Sequence, residues 1–505
     1  MASTLRSTSP TRADGLAPTR SIGRGATLMA ANSWIKTLIQ LGSLVVLGRI
    51  LSPADYGLYG MVTAITGIAV VVGDLGLSLA ALQKQTLSQQ LKSNLFWVNV
   101  LVGALVGIAL VGLAPLLVLF YHRPELLGLT MLLALAFPVN GVAVQFRVEL
   151  NRRGEFGKIM LSDVTGQAVG LIAALAAAIA GWGYWALGLQ LTVAAIVTFV
   201  GVAARARWRP SLPRHADGLR GMLGFGANTL ALQVFNFISS NIDNVSVGRF
   251  LGATALGFYS RAWTLVTLPM FQLVTPLTRV VLPALSRLEG DEFRAALRRL
   301  QTVISYSVLA VLSGLAAVAP FFLAIVLGPK WVRSATILEV LTVGAAFQTL
   351  GYIYYWGFLA RARTGLMLVG EIGGRLVMVV AIVGVASISP EAVAAASAGG
   401  AILIWAAGTF ITGPRAGLGS LALARQAARP FAIFLLAYAA AKASRLLWFD
   451  HWPTAPVFPL LATTAVWLAV VGLALVVPAL RRDVAGVLRE LRSLRAGRRR
   501  PATAA

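Results

Sequence analysis

Three cationic side chains interrupt long apolar stretches of the chain and are its clearest candidates for chemistry. Lys36, Arg261 and Arg375 each lie among mainly apolar residues over a length that could cross a membrane. A charged side chain costs about 2.5–3.5 kcal/mol at the centre of a lipid-exposed helix, so we expect all three to face the protein interior. An arginine there can donate two parallel hydrogen bonds to a phosphate, whereas a lysine acts as a point charge.

An acidic residue accompanies one of these cations. Glu371 precedes Arg375 by one helical turn, which is the favourable order for an ion pair on a helix. Two interpretations are open, because the pair either neutralises the cost of burial or takes part in ligand binding. An acid in this position could also titrate when a ligand arrives, which would couple ligand exchange to protons.

The elements that position these residues are predicted to be long apolar helices. The 505-residue chain is 58% hydrophobic and 12% charged, whereas an ordinary globular chain is about a quarter charged. About 14 segments are long and apolar enough to cross roughly 30 Å of hydrocarbon as helices. They predict an all-α polytopic membrane protein of about 14 transmembrane helices. The predicted spans are residues 25–50, 57–83, 93–120, 126–148, 159–180, 183–204, 221–248, 255–285, 295–327, 334–360, 364–387, 391–412, 424–448 and 456–480.

Positive charge is distributed by predicted membrane side. If the N-terminus is cytoplasmic, most of the 43 Lys and Arg residues fall in the tails and cytoplasmic loops. Both termini are therefore predicted to be cytoplasmic, residues 1–24 as a disordered tail and residues 481–505 as a basic one. The basic tail either lies on the inner membrane surface as an amphipathic helix or is solvated and disordered. The net charge of +25 indicates topology and attraction to anionic membrane lipids, not nucleic-acid binding.

One phrase occurs twice, as LGRILSPADYGLY at residues 47–59 and VGRFLGATALGFY at residues 247–259. Each copy follows a span that runs outward, so the repeats are parallel and predict two pseudo-symmetric six-helix lobes around a central cavity. The lobes are residues 25–204 and 221–412, joined by a basic cytoplasmic linker at residues 205–220. Two C-terminal helices within residues 413–480 are appended to them. This arrangement suits a carrier that works by alternating access.

The same stretches resemble a known family. GRILSPADYGLYG, then GDLGLSLAALQ at residues 73–83 and NIDNVSVGRFLGATALGFYSRAWTLVTLP at residues 241–269, are similar to the Wzx-type polysaccharide transport flippases, especially the colanic-acid-exporter-like members. These belong to the multidrug/oligosaccharidyl-lipid/polysaccharide (MOP) superfamily. The resemblance implies a bacterial inner-membrane protein that moves a polyprenyl-diphosphate-linked oligosaccharide from the cytoplasmic to the periplasmic leaflet, for exopolysaccharide or lipopolysaccharide biosynthesis. It also implies the polysaccharide polymerase machinery as a partner.

A lipid-diphosphate substrate gives the cations predicted roles. Arg261 and Arg375 are the leading diphosphate ligands, with Lys36 relieving charge repulsion. Arg49 and Arg249, one in each repeat, lie at the outer rim and would guide the headgroup outward. Their alternative role is to snorkel to lipid phosphate or to cap the last carbonyls of a helix.

Three aspartates are candidates for gating or coupling. Asp74 and Asp163 lie near the inner ends of spans and either gate the cavity by pairing with cytoplasmic arginines or form ordinary ion pairs. Asp243, beside Asn241 and Asn244, either coordinates an ion or sugar hydroxyls or forms interhelical hydrogen bonds.

No enzyme chemistry or cofactor is predicted. The sequence has no cysteine and three scattered histidines, so a metal site is not expected. Energy would come from a proton or sodium gradient or from the membrane potential. One rival hypothesis is a multidrug exporter of the same superfamily, which should have acidic and aromatic cavity residues. The other is a membrane glycosyltransferase or polysaccharide polymerase, which needs catalytic acids or a large loop.

Overall fold

The computed structural model describes residues 18–74, 88–213, 219–449, 456–478 and 480–486, and within these ranges it contains helices and no strand. The first seven helices are α1 (Pro18–Ile50), α2 (Pro53–Asp74), α3 (Gln89–Tyr121), α4 (Glu125–Ala134), α5 (Ala136–Arg152), α6 (Phe156–Ile179) and α7 (Trp185–Ala206). The longer helices that follow are α8 (Leu219–Leu285), α9 (Gly290–Val326), α10 (Ser334–Ala360), α11 (Thr364–Val385), α12 (Pro390–Ala407), α13 (Ser420–Ser444) and α14 (Val457–Ala474). The prediction of an all-helical chain is confirmed.

Every predicted span falls on a helix, although spans and helices do not correspond one to one. The fourth span comprises α4 and α5, and the seventh and eighth share α8; the second is described as far as Asp74. Among the described residues, 10 helices are long and apolar enough to cross a membrane. Helix α1 begins at Pro18, within residues 1–24, which were predicted to be a disordered tail. Apolarity identifies only the apolar part of a helix, and helical hydrogen bonding continues beyond that part. Residues 1–17 lie outside the described residues.

At each copy of the repeated phrase the chain turns from one helix into the next, but the residues that form the turn differ. In the first, Ser52 and Asp55 form a reciprocal cap: Ser52 Oγ accepts from the Asp55 backbone N–H at 3.2 Å, and Asp55 Oδ2 accepts from the Ser52 N–H at 2.9 Å. Pro53 then occupies the first helical position, where its fixed φ is favourable. In the second, Gly252 breaks α8 with φ 84°, a backbone conformation that favours glycine.

Two compact units divide the chain, and the first comprises Met1–Leu47, Thr66–Val118 and Pro124–Phe235. Its core includes an aromatic cluster of Phe96, Phe146 and Trp208. The Phe146 and Trp208 ring centroids are 5.5 Å apart, edge to face, a favourable arrangement for aromatic rings. This cluster joins α3 and α5 to the segment that follows α7.

The second unit comprises Gly48–Ile65, Leu119–Arg123 and Asn236–Ala505. Both copies of the repeated phrase, apart from Leu47, therefore lie in it. Its core brings Tyr306 of α9 and Leu350 of α10 against Phe434 of α13. Trp467 of α14 stacks on Phe434 at 6.1 Å, so the two C-terminal helices pack against α9 and α10.

Candidate functional site

The two copies of the repeated phrase touch through their glycines. A Cβ added to Gly57 would lie 1.7 Å from the carbonyl oxygen of Ala253, and one added to Gly257 would lie 1.8 Å from that of Pro53. No side chain can be accommodated at either position, so the main chains of the two copies are in direct contact. We call this the glycine contact.

Polar groups surround the first copy of the phrase. The buried Trp331 indole donates to the carbonyl of Gly48 at 2.7 Å, and Lys330 Nζ donates to that of Arg49 at 2.9 Å. The Arg49 guanidinium donates to the carbonyls of Ile325 and Val326, the latter at 3.2 Å. Arg49 thus caps the last carbonyls of α9, and its guiding role remains a prediction. Partial burial lowers the pKa of Lys330, against an opposing effect of Asp55.

Arg261 has the most unusual environment of the predicted ligands. Its guanidinium carbon lies 4.2 Å from the ring centroid of Tyr56, a close cation–π contact. Its Nε is buried without a hydrogen-bond partner, and among the described residues Arg261 forms no ion pair. A positive charge therefore sits next to the glycine contact without an acid to neutralise it.

Arg249 lies near two phenylalanine rings. Its guanidinium carbon is 5.6 Å from the ring centroid of Phe120 and 5.9 Å from that of Phe250. Cation–π contacts of this length contribute about 0.5–1 kcal/mol at exposed sites. They leave the guanidinium N–H groups available to a further acceptor.

Lys36 is brought together with Asp163 in the first unit. Their charged atoms are 3.6 Å apart, and Arg147 binds the same carboxylate with both terminal nitrogens, at 2.6 and 3.2 Å. Asn32 Nδ2 also donates to Asp163, at 3.1 Å. Asp163 is buried, whereas the Lys36 and Arg147 side chains are 34% and 41% exposed. Two accessible cations therefore share one buried anion, which leaves a net positive charge.

Arg375 and Glu371 form the ion pair that their spacing predicts, with an N–O distance of 3.4 Å. Both side chains are partly exposed, and Arg375 Nε is buried without a hydrogen-bond partner. The pair neutralises both charges and leaves one donor of the guanidinium unused. Whether it also binds substrate stays a prediction.

Asp243 is buried between the two halves of α8. Tyr259 donates its hydroxyl to Asp243 Oδ2 at 2.8 Å, and the Asn244 backbone N–H donates to Oδ1 at 2.8 Å. The Tyr259 bond links the two parts of α8 across the break at Gly252, and a role of Asp243 in binding an ion or sugar hydroxyls stays a prediction. Asn241 instead donates to the Phe237 carbonyl at 2.9 Å. The side chain of Asp74 lies outside the described residues.

Two charged groups were not among the predicted site residues. Arg147 lies at the end of a predicted span, and Asp163 was expected to pair with a cytoplasmic arginine, so this expectation was a usable signal for Arg147. Glu339 was overlooked as well, although it lies inside a predicted span. It accepts from Lys442 at 2.6 Å, Tyr438 at 2.8 Å and Arg445 at 2.9 Å, and so joins α10 to α13 and to the short π-helix that follows it.

Comparison with known proteins identifies relatives in polysaccharide biosynthesis. The chain is 26% identical to the teichuronic acid biosynthesis protein TuaB of Bacillus subtilis over 66% of this chain and 70% of the relative. It is 27% identical to the lipopolysaccharide biosynthesis protein WzxC of Escherichia coli, again over 66% of this chain and 70% of the relative.

Solved structures share the fold at low sequence identity. The lipid II flippase MurJ in an inward closed conformation matches with a TM-score of 0.66 at 13% identity, over 89% of this chain and 99% of MurJ. An inward-facing MATE family multidrug transporter of the MOP superfamily matches with a TM-score of 0.56 at 13% identity, over 77% of this chain and 96% of that one. The chain is therefore a multi-pass membrane protein with the fold of these transporters.

The family resemblance predicted from the sequence is confirmed by a family model. That model, described as "Polysaccharide biosynthesis protein", matches residues 46–336, which include both copies of the repeated phrase. Since this match covers more than half of the sequence, the chain belongs to the polysaccharide biosynthesis protein family.

Proposed function

We propose that this protein is a flippase that moves a polyprenyl-diphosphate-linked oligosaccharide repeat unit from the cytoplasmic to the periplasmic leaflet. The exported unit would serve exopolysaccharide or lipopolysaccharide biosynthesis. The names of the relatives support a role in making a surface polysaccharide, and the likeness to MurJ supports a lipid-flipping fold. Together they favour a transporter over an enzyme.

The environment of Arg261 is the observation that carries this proposal. An arginine in a membrane span without an acidic partner is costly, and such residues mark substrate or ion pathways. The Tyr56 ring holds the guanidinium from one face at 4.2 Å, and Nε remains without an acceptor. A substrate diphosphate would supply phosphate oxygens in the plane of the guanidinium, where two parallel hydrogen bonds can form.

The Lys36–Asp163–Arg147 cluster is proposed to receive the substrate first. While no substrate is present, Lys36 and Arg147 are paired with the Asp163 carboxylate. A diphosphate could replace this carboxylate and offer the two cations two charged phosphate groups. The partial exposure of Lys36 and Arg147 makes such an exchange accessible. Arg375 is a second candidate ligand through its unused Nε, and Arg49 and Arg249 remain candidates at the outer rim.

The proposed topology follows from the charge distribution. We assign both termini to the cytoplasm and the protein to the bacterial inner membrane. The reason is that the loops rich in Lys and Arg fall on one predicted side of the membrane, the same side as both termini. Residues 25–204 and 221–412 are proposed as the two lobes of an alternating-access cycle, with residues 413–480 appended. The polysaccharide polymerase machinery would act on the released repeat unit.

The membrane potential is a proposed source of energy. Moving negative charge outward from a negative interior is favourable by about 2.3 kcal/mol per charge per 100 mV. A proton or sodium gradient is the alternative source, and its candidate residues are Asp243, Glu371, Asp163 and Asp74.

Drug export is a second candidate function, since a MATE family transporter shares the fold. A pump for cationic drugs should have an unpaired acid in its binding site. The cation Arg261 near the glycine contact instead favours an anionic substrate.

A deletion strain complemented with variants at equal membrane protein levels tests the proposal. Arg261→Gln removes the charge with little change of size, and Arg298→Gln is the matched control on an exposed arginine. We expect deletion to trap the lipid-linked repeat unit on the cytoplasmic leaflet and to remove surface polysaccharide. Because truncating a partner of a desolvated charged contact costs about 2–5 kcal/mol, Arg261→Gln should lower export at least about tenfold.

Two results would contradict this. Repeat units that still reach the periplasm in the deletion strain, with new drug sensitivity, would favour the exporter. Normal export by Arg261→Gln would exclude Arg261 as the phosphate ligand and leave the flippase itself possible.

A further inference from the structure

An apolar cavity lies where α9, α13 and α14 meet. Its volume is about 230 Å³, larger than the roughly 150 Å³ apolar cavity that can hold a benzene molecule. Tyr306 and Ala310 of α9, Phe434 of α13, and Trp467 and Val471 of α14 line it. Because nearly all of the lining is apolar, an aliphatic chain fits it and a sugar does not.

Basic side chains stand at one end of this cavity. Leu480 and Val484, from the short helical stretch after α14, line that end. Asp483 accepts from the Tyr306 hydroxyl at 3.4 Å and lies 3.7 Å from Arg429. Arg429 is exposed beside Asp483, and Arg481 and Arg482, in the stretch that carries Leu480 and Val484, are exposed as well, so this stretch and Arg429 together carry a net positive charge.

We propose that this cavity is a binding site for an anionic phospholipid of the surrounding bilayer. One acyl chain would fill the cavity, and the phosphate would bind at Arg429 and Arg481. The arginines and the apolar cavity match the two parts of such a lipid, an anionic head and an aliphatic tail. The ion pair of Arg429 with Asp483 is long and the Arg429 side chain is 55% exposed, so a lipid phosphate can replace the aspartate.

Such a lipid would add a link between α9 and the two C-terminal helices, beside the hydrogen bonds that Gln426 donates to Thr302 and Trp467 donates to Ser313. Helices α13 and α14 lie outside residues 46–336, the part matched by the family model. A phospholipid between α9 and these two helices would stabilise their attachment. A phospholipid can bind here only if the protein lies in a membrane, whichever substrate the protein transports.

Lipid binding to the purified protein in detergent tests the site. The probes are phosphatidylglycerol and phosphatidylcholine with identical acyl chains, measured by native mass spectrometry and by the shift in Tm. We expect the wild type to bind phosphatidylglycerol more tightly. Each basic residue near an anionic lipid headgroup strengthens binding about fivefold, so Arg429→Gln should weaken phosphatidylglycerol binding by that factor.

Two further variants separate a lipid site from a structural role. Asp483→Asn removes the internal competitor and should strengthen phosphatidylglycerol binding, whereas loss of a structural ion pair would only lower Tm. Ala310→Phe should fill the cavity and abolish binding of both lipids. Arg209→Gln, on an exposed arginine of the first unit, should behave as the wild type.

The proposal is overturned if the wild type binds both lipids equally, or if Ala310→Phe with normal Tm still binds phosphatidylglycerol. It is also overturned if a polyprenyl phosphate displaces phosphatidylglycerol at equal concentration. The cavity would then be a site for prenyl chains.

Discussion

Gly57 and Gly257 each contact the main chain of the other copy of the repeat, at equivalent positions. Gly57 faces the carbonyl of Ala253, and Gly257 faces the carbonyl of Pro53. Pro53 and Ala253 are themselves equivalent residues of the two phrases. The duplicated phrase therefore has a physical reason beyond common descent, because each copy supplies both the glycine and the carbonyl that the other requires.

Gly57→Ala should prevent the glycine contact from forming. The new Cβ would meet a backbone carbonyl, which cannot rotate away, and overpacking of this kind costs about 1–3 kcal/mol or more. We expect loss of polysaccharide export. Gly60→Ala is the matched control, because its Cβ would meet only the end of the Leu256 side chain, at 3.3 Å.

The natural sequence has no cysteine, so one introduced residue can report on this contact. Ala54→Cys, labelled from outside the cell by an impermeant maleimide, should react faster when combined with Gly57→Ala than with Gly60→Ala. Equal labelling and normal export in both backgrounds would rule out a functional glycine contact.

The membrane spans could be predicted because apolarity over the length of a span is a local property of the sequence. Helix ends were less predictable, as at Pro18, since a helix can continue into a polar flank. The break at Gly252 falls in the gap between the predicted spans 221–248 and 255–285. The cap formed by Ser52 and Asp55 has a recognisable local pattern, a serine followed three residues later by an acid.

The candidate site was only partly predictable. Lys36, Arg261 and Arg375 were identified by the cost of charge in a membrane, and the Glu371–Arg375 pair followed from spacing on one helix. Asp163 binds Arg147 of a different helix, and Arg261 lies over Tyr56. Such partners are set by tertiary packing, which periodicity along one chain does not encode.

Glu339→Gln should destabilise the attachment of α13. The substitution leaves the buried Arg445 and the neighbouring Lys442 without their carboxylate, and breaking a buried ion pair typically costs about 3–5 kcal/mol. Thermal unfolding in detergent should show a clear decrease in Tm. Glu155→Gln is the control, because its ion pair with Lys158 is partly exposed beside the turn between α5 and α6 and contributes at most about 1 kcal/mol. Equal decreases in Tm would contradict this ranking.

Asp163→Asn should make the protein more responsive to a diphosphate. Lys36 and Arg147 lose the anion that they share, so the unliganded Tm should fall. A ligand that supplies the missing negative charge stabilises the folded state in proportion to its affinity. Pyrophosphate or a polyprenyl diphosphate should therefore raise Tm more in this variant than in the wild type.

Glu149→Gln is the matched control for that experiment. It also removes a buried carboxylate from two cations, Lys92 and Arg153, in the same unit. An equal diphosphate response in both variants would indicate unspecific charge compensation, and no response in Asp163→Asn would exclude this cluster as the receiving site.

Asp243→Asn tests coupling to an ion gradient. The carboxylate is buried, accepts from Tyr259 at 2.8 Å and forms no ion pair within the described residues, so it can take up a proton or cation. The amide can still accept that hydrogen bond but cannot be protonated. In proteoliposomes we expect the variant to lose acceleration by a proton or sodium gradient and to keep its response to membrane potential. Tyr259→Phe, which retains the carboxylate, should still respond to the gradient. A normal gradient response in Asp243→Asn would transfer the coupling role to another candidate acid, such as Glu371, whose side chain is partly exposed.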